Sequence, residues 1–89
     1  LAGPAGWLGS AARIEGWRRA LTKAGCPIPE PRAGDWSSAS GYDVSLRMLQ
    51  RDKPTAVFTA NDQMAIGLLK AASELGIRVP EDVSVVGFD

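Results

Sequence analysis

The chain has no histidine and one cysteine, Cys26, and its 10 Lys plus Arg are balanced by 10 Asp plus Glu. Each shortage closes a route. Without histidine there is no imidazole base, and Cys26 has no partner that would activate it as a nucleophile. Cys26 follows a helix stop, sits beside Pro27 and reads as structural. A lone cysteine forms no internal disulfide, so the reducing cytoplasm is the default compartment. A net charge of zero argues against this segment gripping nucleic acid by its phosphates. No apolar run reaches a membrane-spanning length, no metal-ligand spacing occurs, and nothing calls for a cofactor. Aromatics make up only 7% of the 89 residues, enough chain for one small domain or part of a larger one. "LAGPAG" lacks an initiator methionine and reads as mid-chain, as if a strand were already ending.

What is present alternates. A first helix is expected over about Ser10–Ala24, with Ile14, Trp17 and Leu21 at helical spacing, Ser10 as N-cap, and Gly25 and Pro27 as stops. A second is expected over about Ser38–Arg51, with Tyr42, Leu46 and Leu49 on one face. A third is expected over about Asp62–Leu75, ended by Gly76. "TAVFT" (55–59) reads as a strand. "VSVVGF" (83–88) reads as a strand covered on both faces, and "PRAG" (31–34) as a weak strand near an edge. Leu1-Ala2 is the tail of another. The order implies an α/β fold, a parallel sheet with flanking helices and right-handed crossovers. Such sheets bind ligands beyond the carboxyl ends of their strands.

The loops at those ends hold the candidate residues. Asn61 and Asp62 follow "TAVFT" directly; each suits an N-cap and each suits a ligand, and the two roles coexist, because a capping Asn leaves its amide free. Arg13 falls in the first turn of the first helix, where the dipole disfavours a cation. That placement favours a bidentate ligand role over a solvated arginine. Trp36 lies in the polar loop "GDWSS". With Ser37 as cap, the staple position is Gly41, so Trp36 is not explained by a hydrophobic staple and suits a platform for a sugar ring. Asp89 is either a turn residue or an acceptor for ligand hydroxyls. "GPAGWLG" has neither the GxGxxG spacing nor the Gly-Lys-Ser/Thr of a phosphate loop.

"PTAVFTANDQMAIGLLKAASELGIRVPEDVSVVGFD" resembles the effector-binding core of the LacI/GalR transcriptional regulators, and "LAGP", "RIEGWRRAL" and "GDWSSASGY" extend the resemblance over nearly the whole chain. It implies the C-terminal lobe of a periplasmic-binding-protein-like fold, in part, with the DNA-binding headpiece and the N-terminal lobe outside these residues. It implies a small-molecule effector, usually a sugar, a homodimer, operator DNA bound only through the headpiece, and no enzyme activity. Arg13, Trp36, Asn61 and Asp89 match the family's effector contacts. The loop after Gly-Pro departs from the lactose-repressor branch, which has serines there. Trp7 in that loop is a second pocket wall or a lobe-packing residue. A periplasmic sugar-binding protein of a transporter is the alternative, separated by a signal peptide in place of a helix-turn-helix. An α/β enzyme is disfavoured for want of an acid–base constellation.

Two further expectations concern surfaces. On the third helix, Met64, Ala65, Leu68, Leu69, Ala71, Ala72 and Leu75 form one apolar arc, and Ile66 falls opposite with Gln63, Lys70 and Ser73. With Val44 and Met48 as an outward pair on the second helix, Ile66 and Lys70 mark a dimer interface, as the family resemblance also implies. In strand order 2-1-3-4 the first strand lies between the second and third and survives only as Leu1-Ala2. That leaves "PRAG" almost unpartnered, "TAVFT" with an open edge, and residues 1–89 marginal alone.

Overall fold

In the computed structural model of the chain, residues 1–88 are described and Asp89 lies outside them. The elements are α1 (Leu8–Lys23), α2 (Ser38–Arg51), β1 (Ala56–Phe58), α3 (Asp62–Glu74) and β2 (Ser84–Val86). α2 begins and ends where its sequence pattern predicts. α1 and α3 stop through the same device. Gly25 and Gly76, both at φ +72°, reverse the chain. The N–H groups of Cys26 and Ile77 then reach back to the carbonyls of Leu21 and Ala72, which closes each helix end.

α1 starts two residues earlier than expected. Gly6, at φ +89°, turns the chain, and Trp7 takes the N-cap position with no side-chain cap hydrogen bond. Ser10 is therefore a buried residue inside the helix and not its cap. Arg13 lies in the second turn, where the dipole penalty on a cation has faded. The electrostatic part of the argument for Arg13 does not hold, and the case for this residue rests on what surrounds it.

β1 and β2 pair in parallel, with Val57 opposite Val85. On the other side of β1, the Leu1 amine donates to the Phe58 carbonyl (3.0 Å) and Ala60 N–H donates to the Leu1 carbonyl (2.9 Å). Ala2 then bridges in parallel to Ala33. The spatial order is the 31–34 segment, residues 1–2, β1, β2, which is the 2-1-3-4 order of a doubly wound sheet. The central position is paired for only two residues, and "PRAG" is reduced to that single bridge. Between residues 29–32 and 54–58, beneath Ile14 and Trp17, lies a cavity of about 210 Å³.

The two faces of this sheet differ. Val57, Leu68, Ala71, Ala72, Val83, Leu49 and Met48 form one buried cluster, so α2 and α3 cover the first face. Met48 is only 7% exposed. It is not an outward partner of Val44 but part of the core, because the buried stripe of α2 runs through Gly41, Ser45, Met48 and Leu49. Two of those four carry no apolar side chain, so a hydrophobic pattern does not register them. Glycine matters here for contact. A Cβ on Gly41 would lie 2.5 Å from the Met64 carbonyl oxygen, and one on Gly67 would lie 2.1 Å from that of Ser38. The backbones of α2 and α3 touch at these points.

On the opposite face, α1 buries only Ser10. An apolar groove remains between α1 and Phe58, Val86 and Phe88. β2 is accordingly not covered on both faces as expected: Val85 is half-buried, and Val86 is 59% exposed. α1 stands over the first strand position and does not extend across to β2. On α3 the predicted arc is too wide. Leu69 is 45% exposed and joins Ile66, at 60%, on the outward side.

Candidate functional site

Three of the four residues singled out from the sequence converge at the carboxyl ends of the strands. The fourth, Asp89, lies outside the described residues. The convergence begins with Trp36, which adopts φ +79°, a conformation costly for any residue with a Cβ. Three contacts hold it there. The Asp35 carboxylate accepts from both the Ser37 N–H (2.9 Å) and the Ser37 hydroxyl. Ser37 in turn caps α2 by accepting from Ser40 N–H at 3.0 Å. The Trp36 carbonyl accepts from Asn61 Nδ2 at 2.9 Å. The Ser37 hydroxyl, the Ser37 N–H and the Ser40 hydroxyl together hold the Asp35 carboxyl below its usual 3.8.

Asn61 thus works at both ends. Its Oδ1 accepts from Met64 N–H at 2.9 Å and caps α3, while its amide fastens the Trp36 loop. The expectation that the capping Asn leaves its amide free is not met. One N–H is committed to Trp36, which makes Asn61 a bracket between two loops. Its neighbour Asp62 faces Gly87, where a Cβ would come 2.2 Å from Asp62 Oδ1. The Asn-Asp pair at this junction therefore joins the β1–α3 turn to the loops on either side.

The Trp36 ring lies against Gly3, where a Cβ would come within 2.4 Å of it. "LAGP" thus supplies the flat backbone on which the indole rests. Over that ring, 5.3 Å from its centroid, sits the Arg13 guanidinium carbon, which is also 4.1 Å from the centroid of Phe88. Both are cation–π distances. Among the described residues Arg13 makes no hydrogen bond and no salt bridge. Among the described residues, the two aromatic rings are what the guanidinium stacks on. Phe88 was not singled out from the sequence. Its signal was position: the last residue of an apolar run, at the sheet's mouth. Trp7 completes the group, its ring centroid 6.1 Å from that of Trp36 with planes at 73°. No group of three or more His, Cys, Asp or Glu that could hold a metal occurs among the described residues.

Residues 3–89 match the model of the periplasmic binding protein-like domain. The chain belongs to that family. Within it, the relatives are LacI/GalR repressors. The lactose operon repressor of Escherichia coli (strain K12) is 46% identical over 91 residues, covering 100% of this chain and 25% of that protein. The lac repressor dimer bound to operator and the anti-inducer ONPF superposes with a TM-score of 0.93 at 43% identity, over 100% of this chain and 32% of that one. The transcriptional regulator CelR in complex with cellobiose gives a TM-score of 0.95 at 38% identity, over 100% of this chain and 28% of that one. This periplasmic-binding-protein-like segment therefore spans about a quarter of the length of the curated repressor it matches. No helix among the described residues is long and apolar enough to cross a membrane.

Proposed function

We propose that this chain is the effector-binding and dimerisation part of a sugar-responsive transcriptional repressor, not an enzyme. It is read as part of the C-terminal lobe, with the headpiece and N-terminal lobe outside the 89 residues. The observation that carries the effector site is the stacking of Arg13 between Trp36 and Phe88 at the mouth of the sheet. A guanidinium fixed by two aromatic rings presents a planar donor fork to vicinal hydroxyls, and aromatic faces suit the apolar C–H side of a sugar ring. Asn61 contributes by holding Trp36, and its second amide N–H remains for the ligand. Asp89 is read as the acceptor that completes the polar rim. Relatives named as repressors, one of them bound to operator, and a transcriptional regulator in complex with cellobiose support this reading over a transport protein. Cytoplasmic location follows from operator binding.

The effector acts by closing two lobes, and it shifts operator affinity only through unequal affinity for two lobe orientations. In the intact protein, Arg13→Ala should abolish the effector response and leave operator binding unchanged, as read by mobility shift with and without effector. A response that survives Arg13→Ala removes the site assignment.

The dimer surface is read on the outward side of α2 and α3. Ile66 and Leu69 are exposed there beside half-buried Val44. Lys70 Nζ lies 5.2 Å above the Tyr42 ring, and the Tyr42 hydroxyl donates to Glu74. The neighbours form a fixed polar rim around an apolar centre, the usual anatomy of an interface. Ile66→Asp should convert the intact protein to a monomer in sedimentation. A dimer that persists excludes this surface.

A further inference from the structure

Trp36 keeps a backbone conformation, φ +79°, that glycine would hold more cheaply. A tryptophan there implies that its ring is needed where it stands. The sugar platform expected from the sequence requires an open face, and neither face is open. One face rests on buried Gly3, where a Cβ would overlap three ring carbons. The other lies under the Arg13 guanidinium, whose carbon is 5.3 Å from the ring centroid. Nε1 is buried, so the polar edge of the indole is not offered to a hydroxyl either. The ring is a spacer in a pile that runs Gly3, Trp36, Arg13, Phe88, with the guanidinium carbon 4.1 Å from the Phe88 centroid. A guanidinium donates in its own plane, so a ligand reaches it at its edge. The rings on its faces set where that edge lies.

We propose that Trp36 is a positioning residue, backed by Gly3, that acts on the effector through Arg13 and does not itself carry the sugar ring. The inference rests on the sugar-effector reading above and changes the part that Trp36 plays in it. Glycine at position 3 sets the height of the indole, and the indole sets the plane of the guanidinium. A cation–π contact of this kind is worth up to about tenfold in affinity.

The test measures binding of galactose, glucose, lactose and cellobiose to the intact protein by calorimetry, and follows the sugar that the wild type holds most tightly. Trp36→Leu should weaken binding by about tenfold, and Trp36→Phe, which keeps an aromatic face, should recover most of that loss. In an Arg13→Gln background the Trp36→Leu loss should shrink to within about twofold, because the group it acts through is gone. Gly3→Ala should weaken binding although it adds and removes no polar group. It should cost nothing further on top of Trp36→Leu, where the methyl has room. Losses at Arg13 and Trp36 that add would mean that the indole touches the sugar itself, and would overturn the proposal. So would equal binding by Trp36→Phe and Trp36→Leu, or affinities that merely follow the thermal midpoint across the variants. Where Arg13→Gln binds too weakly for the cycle, a crystal structure of the intact Gly3→Ala protein decides. The ring and the guanidinium should shift together, and a guanidinium that stays in place while the ring moves overturns the proposal. If none of the four sugars binds the wild type, the sugar-effector reading falls, and this inference with it; additive losses remove this inference alone.

Discussion

The two helical faces of this sheet are built on different terms. α2 and α3 meet backbone to backbone at Gly41 and Gly67, over a cluster in which Leu68, Ala71 and Ala72 are fully buried. α1 lies over the other face with Gly9 and Gly16 in open space and Leu8 90% exposed. The same residue types therefore carry opposite meanings. Glycine in α2 and α3 is a contact, and glycine in α1 is a weakness. Leu68 in α3 is core, and Leu8 at the start of α1 is surface. The effector candidates belong to the looser side and to the loops between the faces, so the rigid layer supports a site that the other layer leaves open.

Substitutions matched across the two faces test that difference. Leu68→Ala should cost the most, about 2–5 kcal/mol in denaturant unfolding of the intact protein, because it empties a fully buried site. Leu8→Ala should stay within about 0.5 kcal/mol. Similar losses at both positions would mean that α1 is buried to the same degree as α3. Gly67→Ala should destabilise by about 1–3 kcal/mol, since the new Cβ meets backbone and not a movable side chain. Gly16→Ala should do the reverse and stabilise by about 0.5–1 kcal/mol, because nothing lies within 4 Å of its Cβ position. The sign of this pair is the sharpest reading of the comparison, and the same sign for both would break it.

Ser45→Ala should stabilise by about 1 kcal/mol. Its hydroxyl is buried in the α2 stripe with no hydrogen-bond partner among the described residues.

The smallest expected effect is at Asp35. Its carboxyl is held below the usual value, chiefly by the Ser37 hydroxyl. A group depressed in the folded state contributes stability above its unfolded value, 3.8, and loses it as pH falls through the lower folded value. Trp36 fluorescence should therefore shift on acidification below about pH 4, and Asp35→Asn should remove that step. A transition that persists in the variant would assign it to another carboxylate.

Much of this was readable along the chain. The span of α2, the Gly25 and Gly76 stops, the parallel order of the strands and the convergence of Arg13, Trp36 and Asn61 all follow from local pattern and α/β topology. The misreadings share a cause. Met48 and the exposure of Leu69 depend on which stripe of a helix meets its neighbour, and that stripe was set by Gly41, Ser45 and Gly67, which a hydrophobicity pattern does not weigh. Ser10 was displaced as cap for a different reason, because the glycine turn at Gly6, four residues earlier, started the helix at Leu8.

By itself, the sequence determined the alternation of strands and helices, their stops, and the loops that carry the polar and aromatic residues, because each of these is set by neighbours within one or two turns. Only the tertiary structure decided that Asn61 spends one amide N–H on Trp36, that Phe88 backs Arg13, and that Trp7 meets Trp36 edge-on with planes at 73°. Those contacts join residues far apart in the chain, and the distances between them are set by how closely the helices and loops approach.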